Sequence, residues 1–176
     1  YQRASATLEQ ASLRQVEFLA DLKRIDVSNW AEQRARALTV LADDADLIAV
    51  LAPNASNAAS ATTWLQDRVV DDPAFASLMI VSAADGQIWS ASQSRATRIG
   101  QAFPGWQSMR EAGASPARYE PGLASDRLTV LFTAPIQVAV AAADDESDGP
   151  AWMLVGEASI VALKELVAGP ADADGD

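Results

Sequence analysis

The sequence predicts an α+β fold: helices first, then a five-stranded, mostly antiparallel sheet with a flanking helical layer. Two observations carry this reading. Up to Pro73 the pattern is helical, with apolar residues at three- and four-residue spacing. Beyond it the chain breaks into short apolar runs separated by Gly, Pro and Asp. The centre of the second half is Phe75 to Ser92, FASLMIVSAADGQIWSAS. Phe75, Leu78, Met79, Ile80 and Val81 form an apolar strand, and Ala83-Ala84-Asp85-Gly86 turns the chain, with Gly86 free to adopt a positive φ. Gln87 to Ser92 alternates as a returning strand.

Residues 1 to about 51 read as helix, free of Pro and Gly and rich in Ala, Leu, Gln, Glu and Arg. Leu13, Val16 and Ala20 share a stripe, as do Val27, Trp30 and Ala31, and then Leu38, Leu41, Ala45 and Ile48. Asp26 to Asn29 is the weak point, where Ser28 could cap a new helix with Glu32 a turn later. An unbroken helix of this length measures about 75 Å, too long to be buried on one small domain. Residues 36 to 51 are therefore assigned to the core, and roughly 5 to 30 to a seam between two copies.

Pro53-Asn54 ends this segment, and Asn54, Ser56 or Asn57 caps a second helix to about Val70, with Trp64, Leu65, Val69 and Val70 on its apolar side. Asp71-Asp72-Pro73 stops it. After the hairpin come a polar connection from Gln93 to Gly100, a short helical piece from Trp106 to Ala112 and a strand over 117–121. The longest strand runs from Arg127 to about Val140, where Pro135 marks an edge or a bulge because it has no N–H for the ladder. Ala151 to Ser159 is the last strand, followed by a short helix to Val167 and an acidic tail from 169 to 176. The five strands are thus expected at 75–82, 87–92, 117–121, 127–140 and 151–159, in a single domain over 1–176 with its core in 52–168.

Composition narrows the function. The 176 residues suffice for a domain burying roughly 70% of its unfolded surface. A net charge of −11 argues against nucleic acid and anionic membrane surfaces as direct partners. Cys and His are both absent, which excludes thiol and imidazole nucleophiles, disulfides, the usual zinc sites and His-ligated haem. The carboxylates at Asp43, Asp44 and Asp46 read as a solvated helix face, and those at Asp71-Asp72 as a stop signal. Asp144-Asp145-Glu146 lies in a loop without the ligand spacing of a calcium site. No catalytic residue, metal site or cofactor is assigned. No segment has the ~20 apolar residues of a spanning helix. The abrupt start at Tyr1, inside a helical pattern, suggests a piece of a longer protein.

The order of elements resembles the Cache group of extracytoplasmic sensor domains, whose sheet is PAS-like. The resemblance rests on the long N-terminal helix, the hairpin from Leu78 to Ser90 around Asp85-Gly86, and Ile99-Gly100 followed by Trp106. It rests also on Tyr119, the strand ending in Ala134-Pro135-Ile136, and the closing strand from Trp152 to Ile160. It covers about residues 30 to 167 and fits a single module. It implies a ligand-sensing domain outside the bacterial inner membrane, periplasmic or extracellular. The parent would be a membrane-anchored histidine kinase, chemoreceptor or cyclic-dinucleotide enzyme, and the partners a small metabolite and a second copy through the N-terminal helix. The family's amino-acid-binding members carry Arg-x-Trp; here Trp106 follows Phe103-Pro104-Gly105. A ligand-free dimerisation or protein-interaction role is the alternative.

The residues suited to a ligand are Trp89, Trp106, Tyr119, Arg127, Thr129 and Thr133. Trp89 and Trp106 can stack on a ligand or fill the core. Tyr119 offers an apolar body with a hydroxyl tip. Arg127 can grip a carboxylate or phosphate or stand as a strand-end surface charge. Thr129 and Thr133 share its strand face. Glu157, inside the apolar run Leu154 to Ala158, requires a partner or an exposed edge.

Overall fold

The computed structural model describes the backbone of residues 2–52, 57–72, 75–107, 118–121, 128–138 and 151–159, and their side chains outside 2–17, 118–121 and 128. Two compact units emerge: one contains the chain up to Glu32, the other is Gln33–Ile160 and holds the sheet.

Helix α1 spans Gln2–Ala42. It runs unbroken through Asp26 to Asn29, so Ser28 caps no new helix. Single Asp, Ser and Asn residues each cost only about 0.5 kcal/mol in a helix interior, too little to break one this long. The break falls instead at Asp43 and Asp44. Asp44 caps α2, Ala45–Leu51, with its carboxylate accepting from the N–H groups of Asp46 and Leu47 at 2.9 and 3.4 Å. Its other oxygen accepts from Arg68 at 3.1 Å. The acidic cluster is thus a helix start, not merely a solvated face. The break resets the helical phase: Leu38, Ala42, Leu47 and Leu51 are buried, whereas Ala45 is exposed.

Helix α3, Ala58–Asp71, is capped by Asn57, whose side chain accepts from Ala59 and Ser60. It buries Ala61, Trp64 and Leu65. The strands are β1 (Ser77–Ser82), β2 (Ile88–Ala91), β3 (Arg118–Pro121), β4 (Leu128–Ile136) and β5 (Trp152–Ser159). They form one antiparallel sheet in the order β2-β1-β5-β4-β3. The five-stranded α+β architecture expected from the sequence is present. Pro135 pairs with Met153 of β5, and the β3–β4 pairing among the described residues covers Leu128 to Leu131. The connection after β2 is not a plain loop: Gln93–Arg98 forms a 3-10 helix. The expected helix from Ile160, the acidic loop 144–148 and the tail lie outside the described residues.

Side chains alternate across a sheet, so register sorts them onto two faces. Leu78, Ile80, Phe132, Leu154, Gly156 and Ala158 point to the helices. There Phe75 meets Phe132 edge-on, with ring centroids 6.2 Å apart, and Thr62 of α3 hydrogen-bonds Ser90 of β2 at 2.9 Å. Gly156 makes this packing possible. A Cβ there would lie 2.7 Å from the Phe75 ring and 3.0 Å from Leu38.

Candidate functional site

The opposite sheet face is built from the other half of each strand. Ser77, Glu157 and Leu131 stand abreast on β1, β5 and β4, followed by Met79, Val155 and Thr133. Thr129 lies two residues before Leu131, opposite Ser159. Met79, Val81, Ile88, Ala91, Leu131 and Val155 form an apolar cluster with Phe103, and Trp106 packs against it.

The hairpin tip brings Trp106 there. Gly86, at φ 73°, closes the turn, and its carbonyl accepts from Phe103 N–H at 2.8 Å. Gln101 and Gly100 bond Ile88 on the outer side of β2, and Trp106 N–H reaches the Phe103 carbonyl. The chain thereby folds back over the turn and lays the Trp106 indole on Gly86, where a Cβ would overlap the ring. At the exposed tip, hydrogen bonds from Ser82 and from the Gln87 N–H hold the Asp85 carboxyl below its usual range.

Two charged side chains are buried in this face. Glu157 is 0% exposed and Arg95 9%. Arg95 comes from the 3-10 helix; its Nε donates to Glu157 Oε2 at 2.7 Å, and its Nη2 forms an ion pair with the same oxygen at 2.6 Å. Ser77 Oγ donates to the same oxygen at 2.5 Å. Two hydrogen bonds and an ion pair therefore converge on Oε2, and Oε1 has no hydrogen-bond partner. Thr129 Oγ1 and Trp106 Nε1 are likewise buried without one. Leaving such a group unpaired costs about 1–3 kcal/mol, more when it is charged. The Ser77–Glu157 contact superficially resembles a nucleophile with its base. However, Arg95 compensates the carboxylate and Ser77 is itself buried, which disfavours Ser77 as an activated nucleophile. Among the described residues no group of side chains could hold a metal ion.

The six residues expected at a ligand site are distributed as follows. Trp106, Thr129 and Thr133 belong to this face. Trp89 is the extra residue where the β1–β2 register shifts, between the pairs Ile80–Ser90 and Val81–Ile88. It packs on Trp152 with centroids 5.2 Å apart, and so is not brought together with Trp106. Tyr119 stands opposite Val130 in the β3–β4 register. Arg127 lies outside the described residues. Sequence reasoning missed Arg95 and Ser77. The requirement that Glu157 have a partner was readable, but its cation is 62 positions away in a polar run. An open groove of about 340 Å³, lined by Gln66, Val69, Ala76, Gln93 and Ser94, lies elsewhere, between α3 and the 3-10 helix. Its lining carries no charged side chain.

No protein-family model and no curated protein matches this sequence. Solved structures do. The fold is similar to the sensor domain of the V. cholerae histidine kinase DctB, with a TM-score of 0.69 and 17% identity over 92% of this chain and 61% of that one. It is similar also to the ligand-binding domain of the Pseudomonas aeruginosa PAO1 amino acid chemoreceptor PctC, in complex with GABA (0.61, 14%, 88% and 66%). The E. coli DcuS sensor domain matches at 0.53 and 14%, over 84% of this chain and 99% of that one. The chain thus spans less than two thirds of the length of the first two. At these identities the likeness concerns the fold, which this chain shares with those sensor and ligand-binding domains.

Proposed function

We propose that this chain is the ligand-sensing domain of a bacterial membrane receptor, a histidine kinase, chemoreceptor or cyclic-dinucleotide enzyme, and that it works outside the inner membrane without catalytic activity of its own. The observation that carries this is the sheet face away from the helices. Glu157 Oε1, Thr129 Oγ1 and Trp106 Nε1 are buried there without partners, and Trp106 is laid across it by the hairpin. A purely structural domain would gain stability by replacing those groups with apolar ones. The fold shared with the sensor domains of the histidine kinase DctB and of DcuS and with the ligand-binding domain of a chemoreceptor supports the same reading. The ligand is a small metabolite held by Trp106, Thr129 and Thr133. Its binding biases the closure of the segments around the sheet, and the helices carry that bias towards the membrane. The coupling available is typically ~1–3 kcal/mol.

The receptor works as a parallel homodimer through α1. Phe18, Leu22 and Ile25 form a helical stripe that is 63%, 44% and 50% exposed, and Leu19 beside it is 53% exposed. Burying each is worth about 1.5–3 kcal/mol, against an association cost of at least ~4 kcal/mol, so the dimer is weak unless tethered. Phe18→Asp with Leu22→Asp should abolish any dimer seen by sedimentation; an unchanged dimer places the seam elsewhere. The sensing role is tested by a thermal-shift screen of small metabolites, in which a ligand at ~100 times its Kd adds about 2.7 kcal/mol. If no metabolite stabilises the domain, the ligand-free interaction role replaces sensing.

A further inference from the structure

Glu157 uses only one of its two oxygens, and the geometry points to a ligand for the other: an uncharged molecule that donates a hydroxyl or amide hydrogen to Glu157 Oε1 and engages Thr129 Oγ1. This rests on the sensing role proposed above and names the ligand class for the same face. Both oxygens are buried without a partner. They sit on neighbouring strands of one face, because Leu131 is opposite Glu157 and Thr129 is two residues along β4 from Leu131. Such diagonal positions are roughly 7–8 Å apart, a span that two polar groups of one small molecule bridge. The apolar cluster around Leu131, with Trp106 packed on it, supplies the wall.

Charge decides between a neutral donor and an ammonium. Arg95 already compensates Glu157, with both of its contacts on Oε2. Among the described side chains of this face, these two are the only charged ones, and they cancel. A buried ammonium would therefore leave one positive charge without a counter-charge, which is costly in a low-dielectric site. A hydroxyl or amide gains a charge-assisted hydrogen bond and brings no charge.

The test uses matched pairs that differ by one group: glycerol against serinol (its 2-amino analogue), and glucose against glucosamine, by calorimetry and thermal shift on the whole chain. The neutral member of at least one pair should bind, at least tenfold tighter than its ammonium partner. Thr129→Val keeps the shape and removes the hydroxyl. It should leave the ligand-free melting temperature equal or higher and weaken the neutral probe about tenfold. Arg95→Gln leaves Glu157 uncompensated and should shift the preference towards the ammonium member. The inference is overturned if ammonium members bind as tightly as neutral ones to the parent, or if Thr129→Val leaves the affinity of the neutral probe unchanged. It is overturned also if no neutral probe binds. If the wider metabolite screen still yields a ligand indifferent to Thr129→Val, sensing stands and this ligand class falls. If that screen is empty too, both fall.

Discussion

Replacing Arg95 with methionine keeps an unbranched side chain in the same space and removes the cation beside Glu157. The carboxylate is 0% exposed and would then have only Ser77 as a donor. Breaking a buried pair on one side costs about 3–5 kcal/mol, whereas removing both charges with matched apolar residues is often neutral or stabilising. Arg95→Met should therefore lose about 3–5 kcal/mol, and Arg95→Met/Glu157→Met should recover most of it. For a chain of this size each kcal/mol shifts the melting temperature by roughly 2–4 °C, so the single variant melts about 6–20 °C lower. Urea titration of the parent, both single variants and the double variant closes the cycle. The reasoning fails if Arg95→Met loses under about 1 kcal/mol, or if the two single losses simply add in the double variant, since coupled residues must depart from additivity.

Three further outcomes follow from close approaches and caps. Gly156→Ala pushes a methyl into the Phe75 ring and Leu38, and should cost about 1–3 kcal/mol by urea titration. Gly86→Ala strains a left-handed turn and displaces Trp106, so tryptophan fluorescence should change along with ligand affinity. Asp44→Ala removes the α2 cap and the Arg68 contact, and should cost about 0.5–2 kcal/mol, mostly from the cap because the ion pair is partly exposed.

Much of the sheet was readable because its signals are local. The apolar run of β1, the Asp85-Gly86 turn and the alternation of β4 and β5 each act over fewer than about ten residues. The helical region was harder. Asp26 to Asn29 and Asp43-Asp44 have similar composition, yet only the second breaks the helix, where Asp44 caps one new helix and meets Arg68 of another. That pairing spans 24 positions and leaves no local trace. The site divides in the same way. Trp106, Thr129 and Thr133 could be chosen from residue type and strand face. Arg95 could not, since Gln93 to Arg98 shows no periodicity and its role is set by a strand far along the chain. Trp89 went to Trp152 because one extra residue in β2 re-aims it, a shift that alternation in the sequence does not reveal.

The central claim, that the sheet face away from the helices takes a small ligand, is tested most directly by the indole N–H resonances of the tryptophans. Trp106 lies on that face and Trp64 is buried on α3. During titration with any metabolite that stabilises the domain, the Trp106 indole signal, assigned through Trp106→Phe, should move with saturating dependence while that of Trp64 stays in place. A ligand that moves the Trp64 signal and leaves Trp106 unchanged would contradict the claim.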